Sequence, residues 1–156
     1  MKNPLEQEVS SLDYFFMEKA LQEAFLSLKK DEVPIGALIT YKNKIIAKAH
    51  NLVESLKDVT AHAEIQAIGA ASDFLGGKYL KECSLYITLE PCMMCSGAIY
   101  LSQIRRVIFG AFDAKHGFME KKIHLHPKTQ VKGGVMQKEC AQVIKDFFIT
   151  KRGLSF

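Results

Sequence analysis

Two short segments carry the residue types that bind metal ions and move protons. The first is His62-x-Glu64, and the second is Pro91-Cys92-x-x-Cys95. Residues three apart share one face of a helix, so the two cysteine sulfurs can converge on one ion. At the first turn of a helix, the positive end of the helix dipole favours the thiolate, which is the form of cysteine that binds metals. The second segment therefore predicts half of a metal site.

The spacing of His62 and Glu64 predicts where the site lies. Two residues apart is about 200° around a regular helix, so inside a helix the two side chains would point in opposite directions. Side chains in the first turn lean toward the N-terminus and reach past the helix end. We therefore expect the site where two helix N-termini meet, one near Thr60 and one near Pro91. This is the edge at which open α/β sheets usually bind ligands.

The number of ligands indicates the kind of metal site. His62, Cys92 and Cys95 supply three ligands, whereas zinc prefers four. Cys83 and Cys140 lack ligand spacing and are expected to be core thiols, and the other histidines are expected in solvent or loops. The fourth position is then left to water, whose pKa falls to about 7 on zinc.

The prediction is one zinc ion per chain, with Glu64 as the carrier of protons in a hydrolytic reaction. Two other interpretations compete for Cys92 and Cys95, a redox pair and a chance occurrence. A thioredoxin-type pair is disfavoured because the chain has one such motif and methionines fill it.

Helices and strands alternate after an opening hairpin, which predicts an α/β protein with a mixed sheet covered on both faces. The first helix is expected to open at a Ser10-x-x-Asp13 capping box. The remaining predicted elements are a hairpin over 35–41 and 44–49 with its turn at 42–43, a helix over 61–73 with Thr60 as N-cap, a strand over 84–89, a helix from Pro91 to about Leu101, a strand over 106–110 and a final helix with an apolar stripe at Cys140, Val143, Ile144, Phe147 and Phe148. Residues 50–60 and 113–134 show no clear periodicity.

Length and composition favour a single globular domain over residues 1–156. Hydrophobic residues make up 48% and charged residues 24%, which excludes a disordered or fibrous chain. The first residues contain no apolar core, so they do not predict a signal peptide. Charges such as Arg105 and Arg106 interrupt the apolar runs, so no membrane span is expected. These features predict a cytoplasmic protein.

The net charge of +4 is unevenly distributed along the chain. Residues 1–114 contain 12 basic and 14 acidic side chains, whereas residues 115–156 contain 9 basic and 3 acidic ones. A basic tail suggests a polyanionic partner such as nucleic acid. A solvated basic surface helix explains the same charges equally well, so charge alone leaves both open.

The H-x-E…P-C-x-x-C spacing is the signature of zinc nucleobase deaminases. From about residue 11 to 152 the chain resembles the bacterial tRNA-specific adenosine deaminase family. The matching segments are 31–37, 50–51, 60–65, 89–99, 110–115, 139–148 and 151–152. The chain departs from the family pattern at Leu52, Val59, His116 and Phe118, and the stretch 118–134 is shorter.

The resemblance implies a three-layer α/β/α cytidine-deaminase-like fold with a central mixed sheet of about five strands, and a homodimer. It implies hydrolytic deamination of adenosine to inosine at the wobble position of a tRNA anticodon stem-loop. His62, Cys92 and Cys95 would bind Zn²⁺, Glu64 would shuttle protons and Asn51 would bind the flipped base. Further substrate contacts are implied at Ala63, Asp113, Lys115, Phe147, Phe148, Lys151 and Arg152.

Two rival functions remain open on the sequence. A guanine or free-nucleoside deaminase of the same superfamily would share every zinc-site residue. A non-catalytic, zinc-stabilised RNA-binding subunit is disfavoured by Glu64, because a structural metal site needs no acid–base residue. The basic tail favours RNA over a free base.

Overall fold

The computed structural model of the chain describes the backbone of residues 4–153 and the side chains of residues 11–153. Five helices and five strands lie within these residues. In chain order they are α1 (Pro4–Lys29), β1 (Gly36–Tyr41), β2 (Lys44–His50), α2 (Val53–Leu56), α3 (Ala63–Leu75), β3 (Cys83–Leu89), α4 (Met93–Ser102), β4 (Arg106–Ala111), β5 (Gln130–Lys132) and α5 (Gln137–Gly153).

The five strands form one mixed sheet in the order β2-β1-β3-β4-β5. β1 pairs antiparallel with β2 and β3, while β3–β4 and β4–β5 are parallel. The predicted hairpin is confirmed, since Lys42 and Asn43 connect β1 to β2 with φ values of 51° and 59°. Two such residues in the left-handed region suit the right-handed twist of a hairpin.

Alternation along the strands sends successive side chains to opposite faces of the sheet. On β1, Ala37 and Ile39 pack against α3 and α4, whereas Leu38 packs against α1 and α5. The same division holds on β3 and β4, so the sheet separates two apolar clusters. The result is the predicted three-layer arrangement, with the mixed sheet in the middle.

The expected capping box at the start of α1 is wrong, because the helix begins at Pro4 and passes through Ser10. Asp13 is 1% exposed and forms tertiary contacts instead of closing the helix end. The Tyr86 hydroxyl donates to Asp13 Oδ1 at 2.8 Å, and Arg106 donates to Oδ2 at 3.2 Å. These contacts fasten α1 to the middle of the sheet.

Two short elements lie in segments for which the sequence predicts no regular structure. α2 is one turn long within 50–60, and β5 is three exposed residues within 113–134. In the described part of the chain, no helix combines the length and apolar character needed to cross a bilayer.

Candidate metal centre and active-site cleft

The start of α3 places His62 outside the helix and Glu64 inside its first turn. His62 is the N-cap, with an extended backbone (φ −71°, ψ 155°). The prediction of Thr60 as N-cap is wrong, because its hydroxyl donates to Asp58 Oδ1 at 2.7 Å within the preceding turn. Because the backbone of His62 is extended, the side chains of His62 and Glu64 are not separated by the rotation that two helical residues would have. Both side chains therefore face one cleft.

The start of α4 has the same arrangement, with one site residue at the N-cap and the other in the first turn. Cys92 is the N-cap, again with an extended backbone (φ −76°, ψ 178°), and Cys95 follows in the first turn. Cys95 is fully buried, whereas Cys92 is partly exposed. The two helix N-termini therefore meet as the sequence predicts, each bringing one half of the site.

The donor atoms of His62, Cys92 and Cys95 all lie within 4.8 Å of one another. His62 Nδ1 is 3.6 Å from Cys92 Sγ and 3.5 Å from Cys95 Sγ. Tetrahedral zinc, with Zn–S of about 2.3 Å and Zn–N of about 2.0 Å, holds a sulfur and a nitrogen about 3.5 Å apart. The spacing and the ligand types therefore fit a zinc ion.

The three donor side chains shift one another's pKa values through hydrogen bonds. A hydrogen bond from Cys95 lowers the pKa of Cys92 to about 4, with a further contribution from His62. That same hydrogen bond, together with burial, raises the pKa of Cys95. The hydrogen bond to Cys92 raises the pKa of His62. These shifts favour a thiolate at Cys92, which is the form of cysteine that binds metal ions.

Glu64 is the predicted proton carrier and is 5% exposed. The Cys95 thiol donates to Glu64 Oε2 at 3.4 Å, so the carboxyl group lies against the candidate metal donors. Burial raises the pKa of Glu64 to about 7, because a carboxylate loses its hydration there. A carboxyl group in this setting is suited to accept and release a proton.

His62, Cys92 and Glu64 line a cleft of about 880 Å³. Most of the predicted site residues line it, and they come from five separate parts of the chain. They are Asn51, His62, Glu64, Cys92, Asp113, Phe147, Phe148 and Lys151. Asn51 is 6% exposed, so its amide is available only from the cleft.

Four predicted residues are not among those lining the cleft. Cys95 and Ala63 are buried behind its surface. Lys115 is exposed, and its backbone N–H donates to Asp113 Oδ1 at 3.1 Å. Arg152 is exposed at the end of α5. The roles in substrate binding remain predictions for these residues and equally for the predicted residues that line the cleft.

The final helix only partly follows its predicted stripe. Cys140, Val143 and Phe147 are buried, as the spacing predicts. Phe148 is 42% exposed and contacts the Phe147 ring edge-to-face, with centroids 5.3 Å apart. It therefore presents an aromatic ring at the rim of the cleft.

Sequence reasoning gave no role to two buried glutamates that line the cleft, Glu32 and Glu90. Glu32 accepts the backbone N–H groups of Glu54 and Ser55 at 2.7 and 2.9 Å. Burial raises its pKa, but these hydrogen bonds outweigh burial, so the pKa of Glu32 is lowered overall. The sequence signal that could have identified both glutamates is their position next to a predicted buried strand, because a buried charge requires partners. His116, expected in solvent or a loop, also lines the cleft.

Known proteins with similar sequences are deaminases. Residues 12–152 match the family model of MafB19-like deaminases. The tRNA-specific adenosine deaminase of Aquifex aeolicus (strain VF5) is 56% identical over 139 residues, which are 86% of this chain and 92% of that protein.

Solved structures show the same fold. One comes from biochemical and structural studies of A-to-I editing by tRNA:A34 deaminases; it has a TM-score of 0.77 and 42% identity, covering 83% of this chain and 98% of that one. The guanine deaminase from Bacillus subtilis has a TM-score of 0.62 and 35% identity, covering 69% and 73%. The cytidine-deaminase-like fold is thus confirmed. Because the match to tRNA deaminases is closer and covers more of the chain, this protein belongs to the tRNA-specific adenosine deaminase family.

Proposed function

We propose that the protein converts adenosine to inosine at the wobble position, 34, of a tRNA anticodon by hydrolytic deamination. The observation that carries this proposal is that the donor atoms of His62, Cys92 and Cys95 converge beside the buried Glu64 carboxyl group at the cleft. Membership of the tRNA-specific adenosine deaminase family supplies the substrate class.

One zinc ion per chain would be held by His62, Cys92 and Cys95. Zinc supplies a Lewis acid that makes hydroxide available near neutral pH. Three protein ligands are the number found in catalytic zinc sites, which keep one position open.

Glu64 moves the protons of the reaction. Its carboxylate accepts a proton from the attacking water and delivers it to a ring nitrogen of the purine. The water oxygen bonds to C6, and its remaining proton is passed to the amine as the C6–N bond breaks, so adenosine and water give inosine and ammonia. Glu64 Oε2 lies 3.4 Å from Cys95 Sγ. The carboxyl group is therefore beside the proposed ligands but is not counted among them.

The cleft and its surroundings bind the RNA. The target base must leave its stack and enter the cleft, where Asn51 binds its edge and Phe148 offers a ring for stacking. Asp113 and Lys151 line the same cleft. Lys115 and Arg152 are exposed and stand close to them in the chain. The net charge of +6 over residues 115–156 favours a polyanion. Since tRNA is used in translation, the proposed compartment is the cytoplasm.

We further propose that the chain is a single deaminase domain that acts as a homodimer. On α4 an exposed apolar face includes Met93, Gly97, Tyr100 and Leu101, at positions i, i+4, i+7 and i+8. Leu101 is 73% exposed, and a second copy of the chain would cover this face. The Leu101→Glu variant should then be monomeric by light scattering after gel filtration. Ile149→Glu on α5 should stay dimeric, and a monomeric wild type would contradict the homodimer.

The direct test is to incubate the purified protein with an anticodon stem-loop that carries adenosine 34 and to measure inosine. Formation of inosine at position 34, and at no other position, supports the proposal. Deamination of free guanine with an inert stem-loop would instead support the guanine deaminase alternative. Binding of the stem-loop without turnover of any substrate would support a non-catalytic subunit.

A further inference from the structure

We infer that Glu90 is a positioning residue, whose carboxylate fixes the loop of residues 113–119 (the Asp113 loop) beside the metal centre. This inference rests on the proposed function, because the loop is taken to contact the RNA. Glu90 is not a metal ligand candidate, and it acts through the backbone of the loop.

Both carboxylate oxygens of Glu90 bind the Asp113 loop, one at each end. Oε1 accepts the Asp113 N–H at 3.0 Å, and Oε2 accepts the Met119 N–H at 2.9 Å. Glu90 is 3% exposed, so water does not replace these bonds readily. Hydrogen bonds to a carboxylate are stronger than those between neutral groups. One side chain therefore closes the loop at its first and last residues.

Backbone contacts bring the same loop against the segment that leads into the metal ligands. Phe118 N–H donates to the Pro91 carbonyl oxygen at 3.0 Å, and Cys92 forms an isolated antiparallel bridge with Gly117. The Glu90 N–H donates to the Ala111 carbonyl oxygen at 2.8 Å. The position of the loop is thus tied to the position of Cys92 through the residues on either side of Pro91.

Gly117 shows that the loop is shaped around the carboxylate. A Cβ atom at this position would overlap the carboxyl group of Glu90 and crowd the Asp113 carbonyl oxygen. Any side chain at residue 117 would therefore force the Glu90 carboxyl group, the loop backbone at Asp113, or both to shift. Glycine is needed here because of close approach and not because of backbone conformation.

The Asp113 loop forms one wall of the cleft, since both Asp113 and His116 line it. Loss of the Glu90 carboxylate would leave two loop N–H groups without their acceptor, at positions where backbone donors are rarely left unpaired. The loop would then sample other positions, and the RNA would have to order it on binding. This cost falls on substrate binding more than on the chemical step.

The test compares two buried carboxylates with different partners. Glu90→Gln retains the shape of the side chain but loses one acceptor. We expect the KM for the stem-loop to rise about tenfold, with kcat within about threefold of wild type. Zinc content should be unchanged, while amide exchange over 113–119 and tryptic cleavage after Lys115 should accelerate. Asp13→Asn, a buried carboxylate that fastens α1 to the sheet, should lower the melting temperature and leave KM unchanged.

Gly117→Ala provides a second route to the same displacement and should reproduce the rise in KM and the faster exchange. Unchanged exchange and KM in both variants, with an active wild type, would overturn the inference. Equal loss of activity in Glu90→Gln and Asp13→Asn would reduce Glu90 to a purely structural role. An inert wild type would refute the proposed function, while amide exchange would still report whether Glu90 holds the loop.

Discussion

Lys151 donates through Nζ to Asp31 Oδ2 at 2.6 Å, joining the last turn of α5 to the loop that follows α1. Both residues line the cleft, and their side chains are 43% and 74% exposed. Exposed ion pairs of this kind contribute about 0–1 kcal/mol. A phosphate group that binds Lys151 must therefore compete with a carboxylate that already contacts it.

Asp31→Asn removes that competition and should tighten stem-loop binding by about two- to fivefold at low salt. Asparagine is the suitable replacement because residue 31 has a φ of 60°, a region that asparagine tolerates. Asp73→Asn, an exposed site on α3, changes the net charge equally and should have little effect on the dissociation constant. Equal affinities in all three proteins would indicate that the pair only anchors α5.

Replacing both Lys151 and Arg152 with Ala tests the basic tail. If both contact phosphates, stem-loop binding should weaken and the slope of log K against log salt should fall by about 0.7 per lost contact. Zinc content should not change. The control is Lys42→Ala with Lys44→Ala, which removes the same charge from two exposed residues, one in the β1–β2 turn and one at the start of β2. A salt slope equal to that of wild type would favour the solvated surface helix.

The convergence of His62, Cys92 and Cys95 could be predicted from sequence because these residues lie in two short segments, each at a helix start. The spacing of Cys92 and Cys95 and the first-turn position of Glu64 are local features. Glu32 and Glu90 could not be assigned in this way, since their partners are backbone N–H groups 22 to 29 residues away. Nothing in the type of residue 113 or 119 marks its N–H as the partner of a carboxylate.

Most strands and helices were also predictable, because burial imposes a period on their side chains. β5 was not, because its three residues are exposed and are held only by backbone pairing with β4. The start of α1 was misplaced because Asp13 has the residue type of a capping box but faces the sheet. Tertiary contacts, and not the local sequence pattern, determine the structure at β5 and at the start of α1.

Glu64→Gln should separate metal binding from proton transfer. Because Glu64 is not a ligand, zinc should remain near one per chain by elemental analysis. Deamination of the stem-loop should fall by at least about 10²–10⁴-fold, the contribution of a general acid–base group. Glu82→Gln makes the same chemical change at an exposed position and should retain full activity. Near-normal turnover by Glu64→Gln would refute the proposed proton carrier.

Cys92→Ser and Cys95→Ser should each lose zinc and lower the melting temperature, because metal binding is coupled to folding. Chelator treatment of wild type should shift its melting temperature in the same direction. Cys83→Ser and Cys140→Ser alter buried thiols in the core and should retain one zinc per chain. Full zinc content in either Cys92→Ser or Cys95→Ser would remove that residue from the ligand set.

The choice between an RNA substrate and a free base depends on the source of binding energy. A free-base enzyme must hold a small ligand by its edges alone, whereas an RNA enzyme uses distant backbone contacts to place one base. The basic residues of 115–156 and the rim formed by Phe148 and Lys151 favour the second arrangement. We therefore expect efficient inosine formation in the stem-loop and activity lower by orders of magnitude on free adenosine, with guanine and cytidine as poor substrates.

Moving the adenosine from the loop into a paired stem should also stop the reaction, because the base must leave its stack to enter the cleft. Rapid turnover of free guanine by a protein inert toward the stem-loop would reject the RNA substrate and leave the metal centre unaffected.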